Sequence, residues 1–160
     1  MRSILVTTTA LLTACAPEPT CGPAEDATLA LGTGVAAFEP IPNEVVYEAG
    51  PQGGFHVWGS LRAQGIAPGK PNQFGDPDNP VVSYTITLDG EVVGGFTQVR
   101  RPFFRTDTIG VYEIIGEELF LFSDPEALVG REVQLDASVV DACGATASAT
   151  QTATVTGPPG

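Results

Sequence analysis

The segment Gly50 to Gly65, GPQGGFHVWGSLRAQG, holds the single histidine and the single tryptophan of the 160-residue chain, His56 and Trp58. Catalysis by His56 would require a nucleophile within hydrogen-bond reach and an orienting carboxylate, but no Gly-x-Ser-x-Gly or reactive-cysteine signature accompanies it. A transition-metal site would require more imidazole or thiolate ligands than one histidine supplies. We therefore expect no enzyme activity, no catalytic residue and no cofactor.

His56 and Trp58 remain candidates for an interaction surface. In a strand with a period of two they share one face with Ser60, Arg62 and Gln64, and the opposite face carries apolar residues. The apolar face predicts core, so we expect His56 and Trp58 to be neighbours on a partly exposed surface, where tryptophan is favoured at contact sites. The alternative is that a neighbouring loop or strand covers both side chains. The apolar face consists of Phe55, Val57, Gly59, Leu61 and Ala63.

The segment Gly75 to Pro80, GDPDNP, carries two carboxylates at alternate positions, Asp76 and Asp78. Oxygen ligands of this kind suit calcium, but the segment lacks the glycine and the distal glutamate of an EF-hand loop. An acidic surface loop is therefore the favoured interpretation. Two alternatives stay open: calcium held by several loops, for example with Asp124 and Glu126, and an enzyme that clusters acids around His56 or among Asp76, Asp78 and Glu117.

The segment Arg100 to Arg105, RRPFFR, concentrates basic and aromatic residues in an acidic chain. Proline and arginine interrupt a strand where a sheet edge would end, so part of this segment should be exposed. Arginine and aromatic residues carry much of the binding energy at interfaces. We expect Arg100, Arg101, Phe103 and Phe104 to form an interaction site. Alternatively, the phenylalanines close the end of the fold while the arginines pair with acidic neighbours.

The first residues, MRSILVTTTALLTAC, combine an early arginine with an uncharged run too short to span a bilayer, which indicates a secretion signal. Leu12-Thr13-Ala14-Cys15 resembles the lipobox of bacterial lipoproteins. The resemblance implies that residues 1–14 are removed and that Cys15 is lipidated. It also implies the outer membrane, because Ala16 rather than aspartate follows the cysteine.

Two cysteines remain for the exported chain, Cys21 and Cys143. A cysteine pair in an oxidising compartment indicates a disulfide. The formal net charge of −12 argues against nucleic-acid binding, which requires neutralisation of phosphates by lysine and arginine, and an anionic membrane surface would repel the chain for the same reason. Residues 15–26 are rich in proline and acidic residues and form a tether, which leaves residues 27–160 as one domain.

Short apolar and β-branched segments separated by glycine, proline, asparagine and aspartate predict strands throughout this domain. Asp89-Gly90 predicts a two-residue type I′ hairpin turn. Around DACG, the second arm alternates alanine with threonine or serine, as in a half-buried antiparallel strand. SDPEALVG predicts about one helical turn. The candidate strands span residues 28–38, 44–49, 54–66, 81–88, 91–99, 110–115, 118–122, 131–140 and 145–156.

Strands at short spacing without long helices predict an antiparallel two-sheet β-sandwich of about eight to nine strands. The last hairpin resembles the closing hairpin of immunoglobulin-like and fibronectin-like domains, and the chain resembles small bacterial lipoproteins that pair a lipobox with one such domain. The resemblance implies a lipid-anchored binding or structural module of the envelope, with a protein or glycan partner. The alternative is a calcium-dependent or carbohydrate-binding module that uses the acidic loops and Trp58.

Overall fold

The computed structural model describes residue 21 and residues 26–51 and 53–158, so the predicted lipidation residue Cys15 lies outside the described residues. Within them the chain forms β-strands and one 3-10 turn, and no described helix is long and apolar enough to cross a membrane. The elements are β1 (Thr28–Thr33), β2 (Glu39–Pro40), β3 (Glu44–Ala49), β4 (Phe55–Gln64), β5 (Val81–Leu88), β6 (Glu91–Arg100), β7 (Phe104–Arg105), β8 (Val111–Phe120), a 3-10 helix (Pro125–Ala127), β9 (Glu132–Val140) and β10 (Thr146–Thr156).

The strands form one curled, mixed, ten-stranded sheet with the main order β2-β1-β4-β3-β10-β9-β5-β6, while β8 pairs with β4 and β7 pairs with β8. The curl brings β1 against β10 and β9 without hydrogen-bonded pairing, which gives a sandwich-like, all-β fold. The expectation of a wholly antiparallel sheet was wrong. β3 pairs antiparallel with β4 through its second half and parallel with β10 through its first half, and it thereby links the two layers.

Alternation along the strands explains which side chains form the core. In β9, Val133, Leu135, Ala137 and Val139 are all buried, as the period of two predicts. In β10 the alanines at positions 147 and 149 pack against the core and Ala153 is buried, while the threonine and serine face is mainly exposed. The small inward face is matched by the close approach of β1, whose Gly32 is buried.

The local turn predictions hold where backbone chemistry dictates them. Asp89 and Gly90 both have positive φ angles, 51° and 85°, as a type I′ turn requires. Asp124 caps the 3-10 helix by accepting a hydrogen bond from the Glu126 backbone N–H, with Pro125 at its start. The predicted break between residues 115 and 118 is wrong, because a β-bulge keeps β8 continuous through this segment.

Strand register groups several loops at one end of the domain. Val81 pairs with both Arg100 and Val140, and Gln64 pairs with both Thr28 and Val111. The predicted disulfide is present between Cys21 and Cys143, in the turn that follows β9. We call this region the disulfide end: the Cys21–Cys143 bond together with residues 65–80, 100–111 and 141–145. The Asp89-Gly90 turn and the 3-10 helix lie at the opposite end, where Asp89 accepts from Arg131 at 2.7 Å.

Candidate functional site

A cleft of about 420 Å³ opens at the disulfide end between β7, β8 and the segment that follows β6. Its volume falls within the usual range for ligand pockets. Phe74, which is 67% exposed, and Phe104, which is 44% exposed, contribute aromatic surface. The rest of the lining combines the apolar residues Pro102, Ile114 and Ile115 with charged side chains of both signs: Arg101, Arg105, Glu113 and Glu117.

The backbone course after β6 creates the cleft. The Arg101 N–H donates to Pro80 O at 3.0 Å and the Phe103 N–H donates to Pro68 O at 2.8 Å, so this segment follows the loop before β5 instead of pairing with β8. Pro102 lies between them and has no N–H to donate to a strand. Only Phe104 and Arg105 then pair with β8. From Ile114 to Leu119, β8 has β4 on one side and, among the described residues, no hydrogen-bonded strand on the other, until Leu121 bridges to Gly94 of β6.

A β-bulge in β8 directs Glu117 toward the cleft. Gly59 pairs with Glu117 and Leu61 pairs with Ile114, so Ile115 and Gly116 together oppose Ser60. The Gly116 backbone has a φ of 69°, and its N–H donates to Ser60 Oγ at 3.2 Å. The bulge shifts the alternation by one residue, which places Glu117 on the inner face with Ile114 rather than on the outer face. In the sequence the only local sign of the bulge is Gly116 between Ile115 and Glu117.

The inward Glu117 carboxylate is paired. Arg101 Nε lies 3.2 Å from Glu117 Oε2, and the Arg101 guanidinium also lies over the Phe96 ring at 5.8 Å. At the outer rim, Glu113 accepts from Arg62 at 2.6 Å. Arg105 takes part in none of the ion pairs found among the described residues, so its guanidinium is available to a ligand.

The four residues predicted to form one interaction site do not all lie together in the structure. Phe104 is exposed and Arg101 lines the cleft, but Phe103 is fully buried in the core. Its predicted role at the surface is therefore wrong, and it closes one end of the sandwich-like core instead. Arg100 donates through Nη1 to Pro77 O at 2.6 Å and to Asn79 O at 3.0 Å, so it fixes a loop.

His56 and Trp58, the pair on β4 that was predicted to be exposed, differ in their burial. His56 is 2% exposed, which corrects the expectation of a partly exposed surface and confirms cover by neighbouring groups. The His56 ring packs edge to face on the Trp58 ring at 4.6 Å, and the Phe120 ring lies 6.1 Å away. Gly50 lies against the other side of the imidazole, since a Cβ at that position would be 3.7 Å from Nδ1. Neither imidazole nitrogen has a hydrogen-bond partner among the described residues. Trp58 is half-buried and donates through Nε1 to Glu48 at 3.1 Å.

Conversely, Phe55 was expected in the core and is 38% exposed. It packs edge to face on Tyr47 at 5.6 Å, near the turn before β4. Because β4 begins at Phe55, its side chain stands at the open margin of the sandwich-like fold rather than between the layers.

Tyr47 Oη donates to the Glu126 carboxylate, and this hydrogen bond raises the pKa of Tyr47.

The two carboxylates proposed for calcium surround a lysine. Lys70 Nζ lies 2.8 Å from Asp78 and 3.2 Å from Asp76. These hydrogen bonds, first to Asp78 and then to Asp76, raise the pKa of Lys70. The Asp78 backbone N–H donates to Asp76 Oδ1 at 2.9 Å and lowers the pKa of Asp76. The ammonium group therefore sits where a cation bound by both aspartates would lie.

The cleft offers aromatic surface, a paired carboxylate and arginine side chains. Among the described residues, no group of three or more histidine, cysteine, aspartate or glutamate side chains is placed to hold a metal ion. Glu117 is neutralised by Arg101, and His56 lies on the outer face of β4, away from the inward Glu117. Comparison of the chain with protein-family models, curated proteins and solved structures found no match.

Proposed function

We propose that the chain is a lipid-anchored, non-catalytic binding module of the bacterial envelope, with an immunoglobulin-like two-sheet sandwich that holds its ligand in the cleft beside β8. One observation carries the proposal. The edge of β8 from Ile114 to Leu119 has no hydrogen-bonded partner strand among the described residues, before Leu121 bridges to Gly94 of β6, and an aromatic and charged cleft lies beside it. An unpaired strand edge with adjacent side-chain pockets is the usual basis of peptide recognition by strand addition.

The ligand chemistry that fits is an extended segment of an envelope protein. Backbone groups of β8 would hydrogen-bond the segment in the position that β7 leaves empty beyond Phe104. Phe74 and Phe104 offer apolar contact, and the Arg105 guanidinium offers a carboxylate partner at one end. Glu113 and Glu117 are already held by arginines, so they do not repel an acidic ligand as free carboxylates would.

Export is supported by the Cys21–Cys143 disulfide, because such bonds persist in oxidising compartments. The anchor is supported by the lipobox-like Leu12 to Cys15 sequence. The two proposals are compatible, because residues 16–20 would connect the lipidated Cys15 to the domain that the disulfide closes. The outer membrane follows from Ala16 by the same resemblance.

A matched crosslinking experiment tests the binding function. The native chain is crosslinked in intact envelopes, alongside an Arg101→Gln/Phe104→Ser variant and an Arg131→Gln/Phe122→Ser control. The control alters an arginine of another ion pair and a phenylalanine that is 64% exposed at the opposite end. Loss of a specific adduct in the first variant alone, with an unchanged melting temperature, supports the cleft. Equal adducts in all three proteins contradict it.

A glycan ligand on the outer face is a second candidate, favoured by the arrangement of Trp58. The Trp58 indole is held by packing on His56 and by its hydrogen bond to Glu48, and the ring of Phe120, which is 47% exposed, lies 6.1 Å from the same His56. Held aromatic rings next to carboxylates suit stacking and hydrogen bonding with sugars. A change in Trp58 fluorescence on titration with peptidoglycan fragments supports this site, and an unchanged spectrum contradicts it.

The calcium-dependent form of this alternative requires Asp76 and Asp78 to exchange Lys70 for the metal. A ligand that binds only the native state must raise its stability. If calcium binds, a chelator should lower the melting temperature of the purified protein. An unchanged melting temperature contradicts a calcium site.

A further inference from the structure

We propose that the loop tips at the disulfide end, Phe74 and Ile109, insert into the lipid surface to which the chain is tethered, so that the cleft is held at the membrane. The inference rests on the proposed lipid anchor at Cys15 and adds an orientation that the anchor alone does not give. Phe74 lies in the loop between β4 and β5, and Ile109 lies in the tip between β7 and β8. Their relative exposures are 67% and 101%.

Such exposure is costly for large apolar side chains at two loop tips on the same end of the domain. Burial of apolar surface stabilises by about 25 cal/mol per Å², so contact with a lipid surface would stabilise both side chains. Loop tips with aromatic and aliphatic residues reach into the headgroup boundary without a spanning segment. The tip backbone is itself held, because the Thr106 N–H donates to Val111 O and the Val111 N–H donates to Thr108 O, both at 3.2 Å.

The position of the tether favours a lipid surface, rather than another protein, as the partner of these loop tips. The Cys21–Cys143 bond fixes the start of the domain at this end. Five residues, 16–20, separate Cys21 from Cys15, and even a fully extended chain over these six Cα–Cα steps spans only about 20 Å. A strand of ten residues, such as β4 or β8, is about 33 Å long. The opposite end is therefore the far end, and the tips at the disulfide end are those that the anchor keeps near the bilayer.

The charge distribution favours the same orientation. Of the seven lysine and arginine residues, Arg2 precedes the predicted cleavage point and Arg131 lies at the opposite end, which leaves five in the half that contains the disulfide end. Three of these five neutralise carboxylates there, through the Lys70, Arg62 and Arg101 pairs. The opposite half carries an acidic set with Arg131 as its basic residue: Glu44, Glu48, Asp89, Glu91, Glu118, Asp124, Glu126 and Glu132. The half with the disulfide end also carries carboxylates, but they stand against five basic residues, so among the described residues repulsion from a lipid surface is stronger at the far half; these carboxylates include Asp26, Asp76, Asp78, Asp107, Glu113 and Asp141.

Depth-dependent quenching in vesicles tests the orientation on the lipidated mature protein. Ile109→Trp and the matched Val92→Trp, at a site 53% exposed near the opposite end, are each combined with Trp58→Phe. Both proteins are reconstituted into phosphatidylcholine vesicles with or without brominated acyl chains. We expect Ile109→Trp to show blue-shifted emission and loss of intensity with brominated lipid, and Val92→Trp to show neither.

Flotation of the same samples separates this inference from the anchor. Vesicle-bound protein without quenching at position 109, or with equal quenching at both positions, overturns the orientation and leaves the anchor intact. Protein that does not float overturns the anchor and the orientation with it. A Phe74→Ser substitution should lessen the quenching of Ile109→Trp while flotation persists, whereas Phe122→Ser at the opposite end should leave the quenching unchanged.

Discussion

Loss of the Cys21–Cys143 disulfide should lower stability substantially while leaving the fold intact. The bond joins residues separated by 122 positions, and with this loop length the chain-entropy relation gives about 5 kcal/mol at 25 °C. A domain of this size has an unfolding entropy of about 0.3 kcal/mol/K near its midpoint. The melting temperature of Cys21→Ser or Cys143→Ser should therefore fall by up to about 15 to 20 °C.

The effect acts on the unfolded chain rather than on packing. Both cysteines lie at exposed positions, so serine removes little buried contact. Circular dichroism should show the same β-spectrum below the transition for the wild type and both variants. Thermal melts of Cys21→Ser, Cys143→Ser and the double variant should coincide, and reduced wild type should match them. Two single shifts that add in the double variant, or no shift at all, would refute the loop-closure explanation.

Three further predictions follow from individual contacts. His56→Phe should raise stability by about 1 kcal/mol in a thermal melt, because it removes two buried nitrogens that lack partners among the described residues; a lower melting temperature would contradict this. Gly59→Ala should destabilise by about 1 to 3 kcal/mol in urea unfolding, since the new Cβ would lie 2.8 Å from Leu119 Cδ1 and Tyr84 Cε1; an unchanged midpoint would show that the core yields. The Asp78 N–H lowers the pKa of Asp76, so the Asp76 carboxylate stabilises the fold above the ordinary aspartate pKa. This stabilisation is lost as the pH falls through the lowered pKa. In urea unfolding at a series of acid pH values, Asp76→Asn should therefore lose less stability than the wild type, whereas the exposed Asp107→Asn should behave like the wild type.

Sequence alternation predicted most strands because faces follow directly from a period of two. The β9 and β10 faces and the Asp89-Gly90 turn show this, since each depends only on neighbouring residues. The parallel pairing of β3 with β10 depends on how the sheet curls, and no local pattern carries it. The same limit explains why the linking role of β3 was missed.

The candidate site was predicted in part. The composition of Arg100 to Arg105 indicated the correct region, but alternation could not show that Phe103 turns inward when its N–H bonds Pro68. Glu117 was missed as a cleft residue because the bulge at Ile115 and Gly116 reverses its face. The sequence placed His56 on the correct face of β4. Its burial could not be predicted, because it depends on how the Trp58 ring packs and on Phe120 of the neighbouring strand β8.

The anchor at Cys15 is the premise of both the envelope function and the seating of the disulfide end on lipid. The intact mass of the protein purified from its native envelope tests this premise most directly. We predict a chain that begins at Cys15, carries added acyl mass on that residue and gains about 2 Da on reduction of the disulfide. A mature chain that begins elsewhere, or that begins at Cys15 without acyl mass, would contradict the lipid-anchored module.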